Sequence, residues 1–216
     1  MAIKGLSIPI VANYNATGSN VTYSNGMVAG AAVEYTASWT ASENNPLYAD
    51  NKIKENDAGT FQSGELTLGT SDLTQDISKL ILGLKEVTFS YGESKEVKEL
   101  VYDDDMKKPY LGFGVIELHQ NDDVDEYRAV FLPKVQFALP ENAATTKGET
   151  VEWQTPSITG TIYRSDQEDS NYKHPWMIDA WFETESDAIA YLKAKTSITE
   201  SAVSVMSAKN VKKEQA

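Results

Sequence analysis

From Val33 to Thr40 the chain alternates strictly, with Val33, Tyr35, Ala37 and Trp39 in one phase and Glu34, Thr36, Ser38 and Thr40 in the other. A period of two sends successive side chains to opposite faces, so this segment predicts a half-buried β-strand. The same rhythm returns in Val87-Phe89-Tyr91, Leu111-Phe113-Val115, Tyr127-Ala129-Phe131 and Val135-Phe137-Leu139. It also appears in Val151-Trp153 with Ile158-Ile162 after it, and in Trp176-Ile178-Ala180-Phe182. Alternation of this kind suits antiparallel pairing. Turn pieces such as Ser24-Asn25-Gly26 and Lys147-Gly148-Glu149 separate the runs, Gly supplying positive φ and Asn tolerating it.

Two stretches break the rhythm. Between Ser71 and Leu84 the apolar set Leu73, Ile77, Leu80, Ile81 and Leu84 has helical spacing, with Asp72 and Gln75 available to cap the first turn and Gly83 to stop the last. A second short helix is predicted from Glu185 to Ala194, opened by Thr184 with Asp187 three residues on. About ten strands against two helices predict a mainly β protein, an antiparallel sandwich or barrel with one or two short α-helices at its edge. One β-rich domain over residues 1–196 is expected, with an N-terminal arm over about residues 1–20. Residues 42–60, SENNPLYADNKIKENDAGT, lack periodicity and exceed the roughly 12 to 15 residues of a plain connection, which marks a loop with a task. Residues 197–216 end in Lys209, Lys212, Lys213 and Glu214 with little to bury, and are expected to form a flexible C-terminal arm.

Composition narrows the function. The hydrophobic fraction of 41% is that of a folding chain, so intrinsic disorder is not expected. Nineteen Lys and Arg against 32 Asp and Glu give a formal charge of −13, which repels phosphate backbones and anionic headgroups. With no Cys, disulfides, thiolate catalysis and Cys-ligated zinc are excluded. The start, Met1-Ala2-Ile3-Lys4-Gly5-Leu6, lacks the h-region and cleavage pattern of a secretory leader, so cytosolic synthesis is expected. No apolar run approaches the length of a membrane span.

Reactive chemistry is sparse. His119 and His174 are far apart in sequence, each without a second His nearby, and read as surface or strand-end histidines. Asp103 to Asp105 and the group Asp122, Asp123, Asp125, Glu126 lack the alternating ligands and glycine of a calcium loop, and read as solvated loops. Gly112-Phe113-Gly114 lies inside an alternating run with no helix after it, marking a strand bend or a close backbone approach instead of a phosphate loop. No catalytic, cofactor-binding or metal-ligating residue is assigned. Of the four Trp, Trp39, Trp153 and Trp176 fall on the apolar phase and are expected in the core. Trp181 is on the other phase beside Asp179 and Glu183, which suits a residue buried on association.

Read in order, GLSIPIVANY, VTYSNG, NNPLYADN, GELTLGTSDL, KPYLGFGVIE, YRAVFLPKVQFALPE and TTKGETVEWQTPSITGTI form a series that resembles the major tail proteins of long-tailed phages of Gram-positive bacteria and of phage-derived particles. The resemblance runs from about Gly5 to Ile162, and more loosely through the helix near Glu185. Its most specific pieces are Leu47-Tyr48-Ala49-Asp50 and Lys134 to Thr155; beyond Ser197 it stops. It implies a non-catalytic β-sandwich subunit closing into hexameric rings that stack as a tail tube. The location would be the virion tail, after synthesis in the host bacterial cytoplasm. The implied partners are copies of itself, tape-measure, distal tail and tail-terminator proteins, with double-stranded DNA as cargo that is not specifically bound, and no membrane. In such proteins a long loop after an early hairpin reaches the neighbouring subunit, here with Leu47 and Tyr48 as apolar anchors and Asp50 beside them; Trp181 is the fourth candidate contact. A glycan-binding or adhesin module gripping sugars through Trp and Tyr is the competing expectation. A β-rich hydrolase comes third, because its carboxylate pair can be found in almost any acidic chain.

Overall fold

The computed structural model describes residues 2–57, 59–140 and 155–198. The predicted Lys147-Gly148-Glu149 turn, the Val151-Trp153 strand, the core place of Trp153 and most of the C-terminal arm lie outside them.

The fold is mainly β, antiparallel and sandwich-like, with two short helices. In chain order the elements are β1 (Ala2–Thr17), β2 (Asn20–Val28), β3 (Ala32–Ala41), β4 (Asn45–Ala49), β5 (Lys52–Asp57), β6 (Phe61–Thr70) and α1 (Gln75–Leu82). Then follow β7 (Lys85–Tyr91), β8 (Lys95–Val101), β9 (Leu111–Asn121), β10 (Val124–Phe137), β11 (Ser157–Tyr163), β12 (Ile178–Phe182) and α2 (Glu185–Thr196). The main sheet runs β2-β1-β9-β10-β11-β6-β3. Strand β12 shares one edge of β10 with β11, pairing Tyr127 to Phe131 while β11 takes Lys134 to Phe137.

The sheet folds over so that β3, β6 and β11 face β1, β9 and β10. Leu66, Leu68, Ile158 and Ile162 from one half meet Val11, Leu111, Phe113, Val115, Val130 and Leu132 from the other, and Ile77, Ile81 and Leu82 of α1 join them. The reverse face of β1, β9 and β10 is apolar too. There Ile10, Ile116, Ala129 and Phe131 are buried under Ala188 and Leu192 of α2.

Both helices obey local capping chemistry. Thr74 caps α1 by accepting from the Ile77 N–H, in place of the expected Asp72 or Gln75, and Gly83 ends it in the left-handed region at φ 67°. Thr184 caps α2 by accepting from the Asp187 N–H, and the helix continues to Thr196. The runs Tyr127-Phe131 and Val135-Phe137 prove to be one strand, β10. A register shift between Leu132 and Val135 changes which phase of the strand faces the main core, Val130 and Leu132 before it and Val135 and Phe137 after it. Pro133, which has no N–H to offer a ladder, occupies the irregularity.

Two further expectations need correction. Residues 2–17 are not a detached arm but strand β1, paired with β2 on one side and β9 on the other. Residues 42–60 are not an aperiodic loop but a β4–β5 ribbon, tied at its base by Ser42 N–H to Thr60 O at 2.8 Å and Thr60 N–H to Ser42 Oγ at 2.9 Å.

The Gly112-Phe113-Gly114 segment is explained by side chains, not by backbone approach. A Cβ on Gly112 would stand 2.6 Å from the Tyr23 ring and 3.0 Å from Phe131, and one on Gly114 would stand 3.0 Å from Leu192. Gly112→Ala is therefore expected to destabilise the fold by about 1 to 3 kcal/mol through overpacking. Gly5→Ala, whose Cβ meets only ordinary contacts at 3.9 Å, should be neutral or mildly stabilising, since Ala restricts the unfolded chain. Denaturant unfolding of the two variants checks this; equal effects would refute the packing argument.

The connection after β11 is fastened by charge. Lys134 Nζ lies 2.7 Å from Asp166 Oδ2, the Tyr14 hydroxyl donates to the same oxygen at 2.9 Å, and the Asp166 N–H donates back to Tyr14 at 2.8 Å. Lys134, helped by Tyr14, holds the Asp166 carboxyl below its ordinary 3.8. A depressed carboxylate stabilises the fold fully above its unfolded pKa of about 3.9 and loses that contribution as pH falls through the folded value. Thermal midpoints of the native chain should thus fall faster than those of Asp166→Asn as pH drops from about 4 to 2. Parallel curves would contradict this.

Candidate assembly surfaces

Two ribbons, β4–β5 and β7–β8, stand outside the main sheet, each a two-stranded sheet of its own. An isolated hairpin is at best marginal in water. Both carry apolar side chains that no other described residue covers.

In β4–β5 the turn is Asp50-Asn51, both with positive φ (52° and 60°), the pairing typical of a tight two-residue hairpin turn. Asp50 thus shapes the turn. Leu47, Tyr48 and Ile53 are 57, 66 and 58% exposed, so the two apolar anchors expected here do project into solvent.

The β7–β8 ribbon is amphipathic. Direct cross-strand pairs share a face, so Phe89↔Val97, Val87↔Glu99 and Tyr91↔Lys95 place Val87, Phe89, Tyr91 and Val97 together on one side. All four are exposed. The opposite side binds the ribbon to the body: Glu86 accepts from Lys98 at 2.8 Å and Lys79 at 3.1 Å, and Leu100 packs against the core. Lys98 and Lys79 hold the Glu86 carboxyl below the usual carboxylate range. At the base, Lys85 bridges Asp103 and Asp105. Alternation in Val87-Phe89-Tyr91 correctly marks a strand, yet its apolar face is uncovered. The sequence hint was the partner strand KEVKELV, too polar to belong to a two-sided core.

Trp181 occupies a third surface. It projects from β12, 46% exposed, with its ring centroid 4.8 Å from that of His119 and the Arg128 guanidinium 5.9 Å from its own. Of the two readings, surface or strand end, His119 meets the second: it lies near the end of β9 and is 7% exposed, with Trp181 packed against it. Its Nε2 lies 2.9 Å from Glu117 Oε2. Arg128 donates to the same Glu117 oxygen at 3.3 Å and to Asp179 Oδ2 at 2.8 Å. His119 Nδ1 is buried without a partner. Sequence reasoning missed this network because its members come from three strands.

Trp39 and Trp176 also depart from expectation. They are 43 and 39% exposed, at the core margin, because Phe61 takes the buried place between them. Its ring is stacked 4.7 Å from Trp176 and lies 6.1 Å from Trp39. The structure does not gather the four candidate contact residues: Leu47, Tyr48 and Asp50 share one ribbon, while Trp181 sits on β12. His174 is partly exposed, with Nδ1 3.1 Å from the Ser165 carbonyl.

Strands β2 and β3 end the sheet path, each with one hydrogen-bonded neighbour among the described strands. The outward face of β3, β6 and β11 presents Ser38, Thr40, Glu65, Thr159 and Thr161 around a shallow open groove. Among the described residues no group of three or more His, Asp or Glu is placed to hold a metal, and no helix is long and apolar enough to cross a membrane. No known family profile matches the chain, and no characterised protein is significantly similar to it.

The Glu117 network is testable without any partner. Arg128→Ala leaves a 6%-exposed carboxylate facing only His119, and should cost about 2 to 3 kcal/mol of stability, short of the full penalty for a buried pair because Arg128 is itself a quarter exposed. Adding Glu117→Gln removes the stranded charge and should recover at least half of that loss. Denaturant unfolding reads both; no recovery would mean that Arg128 acts through packing alone.

Proposed function

We propose that this chain is the repeating subunit of a phage-type tail tube, assembling with copies of itself into stacked, hexameric rings around a channel for double-stranded DNA. The observation that carries the self-assembly is the pair of ribbons whose apolar faces have no cover among the described residues. Large exposed apolar surface on a folded chain marks a contact site. The strand edges of β2 and β3 add unpaired N–H and C=O groups, which a heterologous ring contact can satisfy around a closed circle. The resemblance of the motif series to major tail proteins supplies the identity of the assembly.

A conduit for DNA must not hold its cargo. Strands β3, β6 and β11 contain no Lys or Arg, and their outward face offers hydroxyls with Glu34 and Glu65. Such a wall releases no counterions from DNA and so gives it no electrostatic affinity. This supports placing that face toward the channel. Tape-measure, distal tail and tail-terminator proteins are the further partners of such a tube, in a virion tail. The exposed indoles of Trp39 and Trp176 favour the second reading, a glycan-binding module, in which sugar rings stack on them.

Purified protein viewed by negative-stain electron microscopy should show rings or hollow tubes when concentrated. A chain that remains monomeric at all concentrations, and binds glycans through Trp39 or Trp176, would replace the tube with the second reading. Each copy carries −13 charges, so salt that shortens the screening length from about 8 Å toward 3 Å should raise the yield of assemblies. A yield that falls with salt would contradict an assembly opposed by long-range repulsion.

A further inference from the structure

Self-assembly does not say which surface meets which. We infer that the apolar face of the β7–β8 ribbon of one copy docks on the patch formed by Ile3, His119 and Trp181 of the next. The inference rests on the self-assembly reading and adds its register.

The donor side is a projecting element with a defined face: Val87, Phe89, Tyr91 and Val97, with Lys95 paired directly across from Tyr91. Its other face is already committed to the subunit through Glu86, Lys79 and Lys98. The ribbon therefore presents the apolar face outward instead of folding it inward.

The receiving side is where the layer of β1, β9, β10 and β12 outruns its cover. On one surface of these strands Ile116 and Ala129 are buried under α2, with half-buried Phe182 packed against them. On the other, two rows cross the strands: Ile3↔His119↔Glu126, and Leu6↔Glu117↔Arg128↔Trp181. Ile3 and Trp181 at the outer ends are 61 and 46% exposed. Beneath them His119 Nδ1 is the one buried side-chain nitrogen or oxygen among the described residues with no hydrogen-bond partner. The subunit leaves this surface both apolar and polar-incomplete.

Charge selects the occupant. Copies with −13 charges each repel, so a contact between them must bring apolar groups and opposite charges together. The receiving patch carries three carboxylates, Glu117, Glu126 and Asp179, against the single guanidinium of Arg128. The donor face brings Lys95 beside its aromatic rings. Phe89 and Tyr91 against Ile3 and Trp181 supply the apolar contact, and Lys95 near Glu126 or Asp179 supplies the complementary charge. Because donor and receiver are different surfaces, the contact is heterologous and propagates into a ring or a filament.

The absence of Cys makes the test direct. Phe89→Cys and Ile3→Cys are prepared separately, the second with a mass tag, mixed, concentrated until assemblies appear, and treated with a short bis-maleimide linker. The expected product is the cross-linked pair of the two different variants, at several times the yield of either variant alone or of Leu47→Cys mixed with Ile3→Cys. Lys95→Glu should weaken association about tenfold, and Glu126→Lys in the same chain should restore it. Assemblies that form normally but give no preferential Phe89-to-Ile3 product overturn this contact while leaving self-assembly intact. Copies that never associate, by sedimentation, remove the self-assembly reading and this contact with it.

Discussion

The structure depends on three strands that are apolar on both faces. In β1, β9 and β10, successive side chains such as Ile10 and Val11, Val115 and Ile116, and Val130 and Phe131 are all buried, although they point to opposite sides. A sheet of this kind must be covered twice. The folded-over half made of β3, β6 and β11 covers one side with help from α1, and α2 covers the other. The irregularities fit the same demand. The Leu132 to Val135 shift keeps β10 on the main core, with Val130 and Leu132 facing it before the irregularity and Val135 and Phe137 after it, and the glycines of β9 make room for Tyr23, Phe131 and Leu192.

The same constraint explains what is left over. Among the described residues, cover runs out at the beginning of β1 and over the end of β9, where Ile3 and Trp181 of β12 emerge, and it does not reach the apolar faces of the two ribbons. No described residue buries Phe89 or Tyr48. The polar chemistry follows that boundary. Ion pairs on the inner side of the β7–β8 ribbon and the Glu117–Arg128–Asp179 chain beneath Trp181 fix these surfaces in shape. Under the proposed self-assembly, a second copy would supply both surfaces at once.

The β rhythm, the Gly83 stop and the Thr184 cap were legible because each is local: a period, a backbone angle, one hydrogen bond. Exposure was less legible. Alternation states that the two faces of a strand differ, and cannot say whether anything covers the apolar one. Val33 to Trp39 and Val87 to Tyr91 therefore looked alike, yet Tyr35 and Ala37 pack on the core and Phe89 does not. The burial of strand-end His119 is not legible in the sequence because Glu117, Arg128 and Trp181 surround it from three strands. The β4–β5 ribbon escaped notice because Pro46 and a bulge after Leu47 disturb the period on which strand reading rests. Of the candidate contacts, Leu47 and Tyr48 were readable as apolar residues in a segment too long to be a plain connection. The Val87 to Val97 face needed the tertiary structure.

Amide hydrogen exchange, compared between dilute subunit and assembled protein, tests the central claim that uncovered ribbons are completed by other copies. Backbone hydrogen bonds in a two-stranded ribbon with an open face should exchange fast in the dilute subunit. The account predicts strong new protection in Val87 to Tyr91, Lys95 to Val101 and Leu47 to Ile53 on assembly, with the interior of β9 and β10 protected throughout. Assemblies in which these ribbons exchange as fast as in the isolated subunit would contradict it.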